Sequence, residues 1–291
     1  MSWLDHPAYL LIDGTGFLVG ILALLVGGFV LPRITGPRWK SVIRLGMILG
    51  FLLVVISAAP IPHVFYLVWA VLALILITQP RWSATRPGKA ICLGSYALIA
   101  VIMIVTETAY WFPGRVRLDP ARPVYVIGDS ITAGITKRGI TLWPDLLRQK
   151  TGLTCINLAL PGATLESALA QQTKGIQGKH HTVILEIGGN DLLGDTDDDA
   201  FAANLETLVK ALEGPLVTPV MFELPLYPFR NRIGMIQRRI AAEHRIYLIP
   251  RRILLAVIRH DANTVDGLHL SQLGQEALAE KIQEFIDIGP R

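Results

Sequence analysis

Four apolar stretches dominate the first 112 residues of the chain and confine that part to structures that bury a very hydrophobic surface or turn it toward lipid. They run from Tyr9 to Leu31, Val42 to Ala59, Val64 to Thr78 and Ala90 to Phe112, parted by short segments rich in Pro, Gly and Arg. A helix crossing a bilayer needs about 20 apolar residues, with about 17 as the lower bound. The first, second and fourth stretches meet that requirement. The third is short and reads either as a span or as a re-entrant segment. A helix lying on a soluble core would carry a polar stripe at helical spacing, and Phe17 to Leu31 has none. The whole chain is 52% hydrophobic over 291 residues, with a mean hydropathy of +0.46, and this region supplies the excess. A cleaved signal sequence does not suit the first stretch: the N-terminal segment holds Asp5 and Asp13, no Lys or Arg, and no small-residue cleavage site follows. Residues 1–113 are therefore assigned to an all-α transmembrane region of about four spans, and 114–291 to a separate domain.

Cations orient such a region, because cytoplasmic loops carry the excess of Lys and Arg. Arg33, Arg38, Lys40 and Arg44 follow the first stretch, and Arg81, Arg86 and Lys89 follow the third, whereas the N-terminal tail and the Pro60 to His63 turn have no Lys or Arg. With four spans, both basic loops lie in the cytoplasm, and the C-terminal domain lies outside it, in a periplasmic or lumenal space. Arg115, Arg117 and Arg122 point weakly the other way, although long translocated domains are largely exempt from the rule. A re-entrant third stretch would move the domain to the cytoplasmic side. The net charge of +4 comes in good part from these loops. No basic stripe with interleaved aromatics occurs in the C-terminal half, so nucleic acid is not an expected partner. Cys92 and Cys155 are the only cysteines, one in an apolar stretch and one in an expected strand. Neither a disulfide framework, a metal site nor a cofactor is expected.

From about Gly114 the pattern changes to short β-rich runs alternating with amphipathic helices. Strands are predicted near Val124 to Gly128, Thr154 to Leu158, Thr182 to Ile187, Val217 to Leu224 and Ile246 to Leu248. Helices are predicted near Leu142 to Thr151, Leu165 to Gln172, Ala200 to Glu213, Arg232 to His244, Arg251 to Arg259 and Ser271 to Ile286. This alternation describes an α/β domain with a parallel sheet covered on both faces, a design that carries its sites at the carboxyl ends of the strands. Gly128-Asp129-Ser130 follows the first predicted strand, Leu160-Pro161-Gly162-Ala163 the second and Gly188-Gly189-Asn190-Asp191 the third, while Asp266-Gly267-Leu268-His269 precedes the last helix. All four motifs then share one rim of the sheet.

Each motif has a chemical use there. A serine hydroxyl is a weak nucleophile near neutral pH and needs a base to take its proton. His269 can serve Ser130 in that way. Asp266, three residues earlier across a turn eased by Gly267, can accept the Nδ1 proton and leave Nε2 facing Ser130. The oxyanion formed on the substrate needs fixed donors, and the candidates are the backbone N–H groups of Ser130 and Gly162 with the side-chain amide of Asn190. Asn190 can also be read as a helix cap. Asp129 and Asp191 read as braces of their loops, His180 and His181 as surface residues, and Glu186 and Glu223 as buried structural contacts rather than a glycosidase pair.

Taken together, Gly128-Asp129-Ser130, Gly162, Gly189-Asn190-Asp191 and Asp266-Gly267-Leu268-His269 resemble the four marker blocks of the SGNH (GDSL-type) hydrolases, in the family's order, over roughly Pro123 to the C-terminus. Trp143-Pro144-Asp145-Leu146-Leu147 is similar to the arylesterase and thioesterase–lysophospholipase branch. The resemblance implies a flavodoxin-like three-layer αβα sandwich. It also implies Ser130 as nucleophile, His269 and Asp266 as its triad partners, and an oxyanion hole from Ser130, Gly162 and Asn190. It says nothing about the membrane region.

The expected activity is hydrolysis of acyl esters through an acyl-enzyme by a membrane-anchored serine esterase. Lysophospholipids, other lipid esters and O-acylated glycans are the candidate substrates, and the bilayer is the expected partner; protein partners are not specified. Transfer of the acyl group to a glycan by the same triad and a non-catalytic membrane scaffold are the alternatives. Tyr227, Arg230 and Arg232, after the fourth strand, offer aromatic surface and two guanidinium groups to an acidic or phosphorylated ligand, or form an ordinary solvated turn. A reporter active only outside the cytoplasm, fused after Arg291, is expected to give signal. A silent fusion together with an active cytoplasmic reporter would reverse the topology.

Overall fold

The computed structural model describes residues 7–78, 86–112, 114–135 and 139–289. Asp5, Arg81 and Arg291, and the side chain of Arg86, lie outside the described residues. The chain divides into two compact units, one built on the N-terminal helices together with Leu226–Met235, the other on the remainder from Phe112 onward.

The helical unit contains α1 (Pro7–Ile12), α2 (Thr15–Val30), α3 (Pro37–Ile56), α4 (His63–Thr78) and α5 (Arg86–Thr108). The first apolar stretch is not one helix. It breaks at Asp13-Gly14, where Gly14 takes a left-handed φ of 87° and the Asp13 carboxylate accepts the Thr15 N–H at 2.8 Å. Three segments, Thr15–Arg33, Pro37–Ile56 and Pro87–Trp111, are long and apolar enough to cross a membrane. The 16 residues of α4 extend only about 24 Å at the α-helical rise, against about 30 Å of hydrocarbon, so the third stretch is short in the fold as it is in the sequence. Small residues bring α2 and α3 together: a Cβ on Gly20 would lie 2.5 Å from the Gly50 carbonyl, the close approach that membrane helices use. Phe17, Ile21, Trp69 and Tyr96 fill the interior, with the Trp69 and Tyr96 rings stacked at 5.0 Å. Large apolar side chains instead face outward, Ile91 at 70% exposure, Leu67 at 66% and Leu45 at 58% among them. Within this unit Asn231 Nδ2 donates to the Ala59 carbonyl at 2.8 Å, which ties the Leu226–Met235 segment to the turn before α4.

The second unit is built on a five-stranded parallel sheet of β2 (Val124–Gly128), β3 (Cys155–Asn157), β4 (His181–Glu186), β5 (Val217–Phe222) and β6 (Tyr247–Ile249), in the order β3-β2-β4-β5-β6. That is the flavodoxin-like order, with the chain reversing its direction of travel between β2 and β4, where a crevice opens at the carboxyl ends. Both central strands are buried along their whole length, as continuous apolar runs in a parallel sheet require. On one face Val124, Val126, Ile184, Val220 and Phe222 form a core with Trp143, Leu147, Leu278 and Ile282. These last four come from α7 (Trp143–Thr151) and α13 (Gln272–Gln283). Tyr125, Ile127, Val183, Leu185 and Met221 alternate to the other face and are equally buried. The remaining longer helices are α10 (Asp198–Leu212), α11 (Asn231–Glu243) and α12 (Arg251–Ile258).

Three local expectations are corrected. The last helix ends at Gln283 and not near Ile286, because Ile286–Ile288 forms β7, paired in parallel with β1 (Val116–Leu118) in a separate two-stranded sheet. This pairing buries Val116, Leu118 and Ile286, a long-range gain that helical periodicity cannot register. His181 is buried at the start of β4, edge-on to Tyr125 with ring centroids 5.4 Å apart, whereas His180 is exposed. The helix predicted from Leu165 to Gln172 is α-helical only over α8 (Leu165–Ser167), and Ala168–Gln172 is a π-helical turn.

Gln172, at the end of that turn, is 2% exposed. Its Oε1 accepts the Gly128 N–H and its Nε2 donates to the Gly128 carbonyl, both at 3.0 Å. The side-chain amide thus shares this edge of β2 with the Leu160 N–H, which donates to the same Gly128 carbonyl at 3.1 Å, and alone accepts the Gly128 N–H. Leucine at position 172 would strand the Gly128 N–H in an apolar interior, at a cost of about 1–3 kcal/mol. Gln172→Leu is expected to lower the thermal midpoint of the detergent-solubilised full chain by several degrees; an unchanged midpoint would show that the tie contributes nothing.

Candidate active site

Ser130 is the first residue of α6 (Ser130–Ala133), directly after β2. Asp129 caps that turn, its Oδ1 accepting the Ile131 N–H at 2.9 Å, so the serine leaves the strand end in a fixed direction. His269 arrives from the opposite end of the domain sequence. Gly267, at a left-handed φ of 88°, lets the chain double back so that Asp266 Oδ1 accepts the N–H groups of Leu268 at 3.1 Å and His269 at 2.8 Å. The same carboxylate presents Oδ2 to His269 Nδ1 at 2.7 Å, while His269 Nε2 lies 3.0 Å from Ser130 Oγ. The fold thus brings together hydroxyl, imidazole and carboxylate in an unbroken line. His269 is 22% exposed and Asp266 45% at the side chain, so the line reaches from the domain interior to solvent. The two N–H groups and the imidazole hold the Asp266 carboxyl down at about 2.

Asn190 sits inside the short helix α9 (Gly189–Leu193) and not at its cap, which is Gly188. Its Nδ2 donates to the Ala163 carbonyl at 2.9 Å and to Asp129 Oδ2 at 3.4 Å. It therefore links the loop holding Gly162 to the turn holding Ser130. Among the described residues, the backbone N–H groups of Ser130 and Gly162 make no hydrogen bond. Asp191 is buried and braces the same loop through Leu165 N at 2.9 Å. Tyr227, Arg230 and Arg232 lie in Leu226–Met235, the segment grouped with the N-terminal helices.

Behind the serine lies a buried polar chain that sequence reasoning did not foresee as a unit. Trp143 Nε1 donates to Thr132 Oγ1 at 3.0 Å, and Thr132 Oγ1 donates to Glu186 Oε2 at 2.8 Å. Gln275, fully buried on α13, accepts the Trp143 N–H at 2.8 Å and donates to the Ile131 carbonyl at 3.2 Å. The helix that follows His269 is thereby bonded to the helix that carries Ser130. A glutamine on an amphipathic helix reads as part of its polar face, so nothing in the sequence marks it. Glu223 is committed elsewhere, in a buried ion pair with Arg238 at 2.7 Å. Glu206, Glu243 and His244 bring three ligand atoms within 4.8 Å, but Lys210 on Glu206 at 3.0 Å, Arg239 on Glu243 at 3.0 Å and Glu213 on His244 at 2.5 Å make this an ion-pair network.

A profile of the GDSL-like lipase/acylhydrolase family matches residues 126–277, just over half of the 291-residue chain, and spans every residue of the relay. The chain belongs to this family. It is thus a carboxylic ester hydrolase by class. Among curated proteins of the family, thioesterase 1/protease 1/lysophospholipase L1 of Escherichia coli (strain K12) is 22% identical over 172 residues, covering 56% of this chain and 83% of that protein. An arylesterase of Vibrio mimicus is 26% identical over 175 residues, covering 55% and 86%. The solved structure of the psychrotrophic esterase EstA from Pseudoalteromonas sp., inhibited by monoethylphosphonate, shares the fold with a TM-score of 0.50 at 20% identity, over 56% of this chain and 96% of that one. The family match begins beyond the N-terminal helices.

Burial sets the electrostatics around the serine. It pushes the Asp129 carboxyl up to about 6, against the pull of the Ile131 N–H, and drives Glu186 well above the ordinary carboxylate range. A free aspartate titrates near 3.9. A carboxyl raised in the fold contributes stability that is fully present below its unfolded value and is lost as pH rises through the folded one. The thermal midpoint is therefore expected to fall between about pH 4 and pH 7 through this group, and less steeply in Asp129→Asn than in wild type. Parallel slopes would show that Asp129 titrates as an ordinary carboxylate.

Proposed function

We propose that the chain is a membrane-anchored serine esterase that opens acyl esters by way of an acyl-enzyme on Ser130. The observation that carries the reading is the relay from Ser130 Oγ to His269 Nε2 at 3.0 Å and from His269 Nδ1 to Asp266 Oδ2 at 2.7 Å. In the first half-reaction Ser130 Oγ bonds to the ester carbonyl carbon while its proton passes to His269 Nε2, and Asp266 stabilises the imidazolium. The N–H groups of Ser130 and Gly162 receive the developing oxyanion. Asn190 joins them with the amide proton now held loosely at 3.4 Å from Asp129. The tetrahedral intermediate collapses, His269 returns the proton to the departing alkoxide, and the acyl group stays on Ser130. Water then repeats the sequence, releasing the carboxylic acid and restoring the hydroxyl.

Membrane anchoring is supported by the three long apolar helices and by their outward-facing Leu, Ile and Val side chains, a surface too apolar for water. The catalytic unit of this reading lies outside the cytoplasm, following the distribution of Arg and Lys between the loops. Small or medium acyl esters are the favoured substrates, with lysophospholipids, lipid esters and O-acylated envelope glycans as the classes that an outward-facing tethered enzyme meets.

A fluorophosphonate probe is expected to label the detergent-purified chain and to spare Ser130→Ala. Against p-nitrophenyl esters of graded length, Ser130→Ala and His269→Ala should lose about 10⁶-fold in kcat. Asn190→Ala should lose about 10²–10³-fold in kcat with little change in KM, since its contact strengthens in the transition state. Labelling of Ser130→Ala equal to wild type would refute the mechanism, and an unaltered kcat in Asn190→Ala would remove that residue from the oxyanion hole.

A further inference from the structure

The helical unit holds a partly open cavity of about 660 Å³ that the ester chemistry does not use. Arg33, Lys40, Arg44 and Lys89 line it, drawn from the turn after α2, from α3 and from the first turn of α5. Among the described residues before Phe112 the only acidic ones are Asp13 and Glu107, and neither lines the cavity. Among the described residues Lys40, Arg44 and Lys89 form no ion pair, and Arg33 turns its guanidinium back to the Phe29 carbonyl. Four like charges around one space repel one another, and an anion between them relieves that repulsion. A second observation points the same way. The Tyr96 ring lines the cavity, is 1% exposed and is held by stacking on Trp69, yet its hydroxyl has no hydrogen-bond partner. Buried hydroxyls are almost always bonded, and what this one lacks is an acceptor. Phe29, Met47 and Leu93 supply an apolar wall beside the cations. An occupant therefore needs negative oxygen acceptors at one end and hydrocarbon at the other.

We propose that this cavity binds the phosphate headgroup of an anionic membrane phospholipid, with Lys40, Arg44 and Lys89 as the phosphate ligands and the Tyr96 hydroxyl as a further donor. Basic pockets between membrane helices on the cytoplasmic side recognise lipid headgroups by this chemistry. The lining cations are among those that the charge distribution assigns to the cytoplasmic side. The proposal rests on the membrane-anchored reading above and adds a lipid site remote in function from Ser130.

The test uses the delipidated full chain in neutral detergent, titrated with dioctanoyl phosphatidylglycerol, dioctanoyl phosphatidylcholine or inorganic phosphate, with binding read by native mass spectrometry and thermal shift. Phosphatidylglycerol is expected to bind at least tenfold more tightly than phosphatidylcholine. Each cation replaced should weaken it about fivefold, so that Lys40→Gln/Arg44→Gln/Lys89→Gln loses the selectivity, while Lys40→Arg/Arg44→Lys keeps it. Hydrolysis of p-nitrophenyl acetate should be unchanged in all of these variants. Equal binding of the two lipids by wild type overturns the proposal without recourse to any variant. Retained selectivity in the triple variant overturns it too, as does protection by inorganic phosphate matching that by the lipid, which would mark a plain anion site. Release of the chain from native membranes by alkaline carbonate would refute anchoring itself, a failure distinct from any result of the lipid titration.

Discussion

A hydrogen bond between two side chains 139 residues apart, Ser130 Oγ and His269 Nε2, is the contact on which the arrangement of the second unit turns. Neither end is positioned by its own motif alone. Ser130 is directed by the end of β2 and the Asp129 cap, and His269 by the Gly267 turn that folds Asp266 back onto it. What makes the two meet is the buried amide of Gln275, which bonds the helix after His269 to the Ile131 carbonyl in the serine turn and to the Trp143 N–H at the start of α7. Gln172 does the same for the far side of β2, and Thr132 with Glu186 closes the floor between β2 and β4. These groups are fully desolvated, so each is costly to leave unpaired and correspondingly selective for one geometry.

The two units obey opposite rules of burial. In the sheet unit, apolar side chains alternate to two buried faces, and the polar groups behind the serine, Gln172, Thr132, Glu186 and Gln275, are hydrogen-bonded. In the helical unit the interior is made by glycine contacts, a few aromatics and a few aliphatic side chains such as Ile21 and Val54, while many other Leu, Ile and Val side chains point outward. A single hydrophobicity average over the chain mixes these regimes, and it is the position of the apolar residues, not their number, that separates them. The same inversion explains why a cluster of cations and an unpartnered tyrosine hydroxyl stand out at one end of the helices.

Legibility followed the range of the interactions. Strand β2 was readable to the residue because Val-Tyr-Val-Ile is buried on both faces and ends in a turn that glycine and aspartate announce. The Asp266 to His269 turn was readable because its geometry is local, three residues and one glycine. His181 misled because two adjacent histidines look solvated, and only the Tyr125 ring on the neighbouring strand shows that one of them is inside. Residues Ile286 to Ile288 misled because their partner, β1, lies at the other end of the domain. The break at Asp13-Gly14 went unread because an apolar run conceals a single left-handed residue.

By itself, then, the amino-acid order determined the division into a lipid-compatible helical part and an α/β part, the parallel sheet, the family and the four rim motifs, since each of these rests on periodicity or on short-range turn chemistry. Tertiary structure alone decided that hydroxyl, imidazole and carboxylate lie within bonding distance, that Gln172 and Gln275 hold them there, and that four cations line one cavity with Tyr96. The reason is physical: hydrogen bonds and charge clusters between distant segments depend on how desolvated surfaces meet, and no local pattern records that meeting.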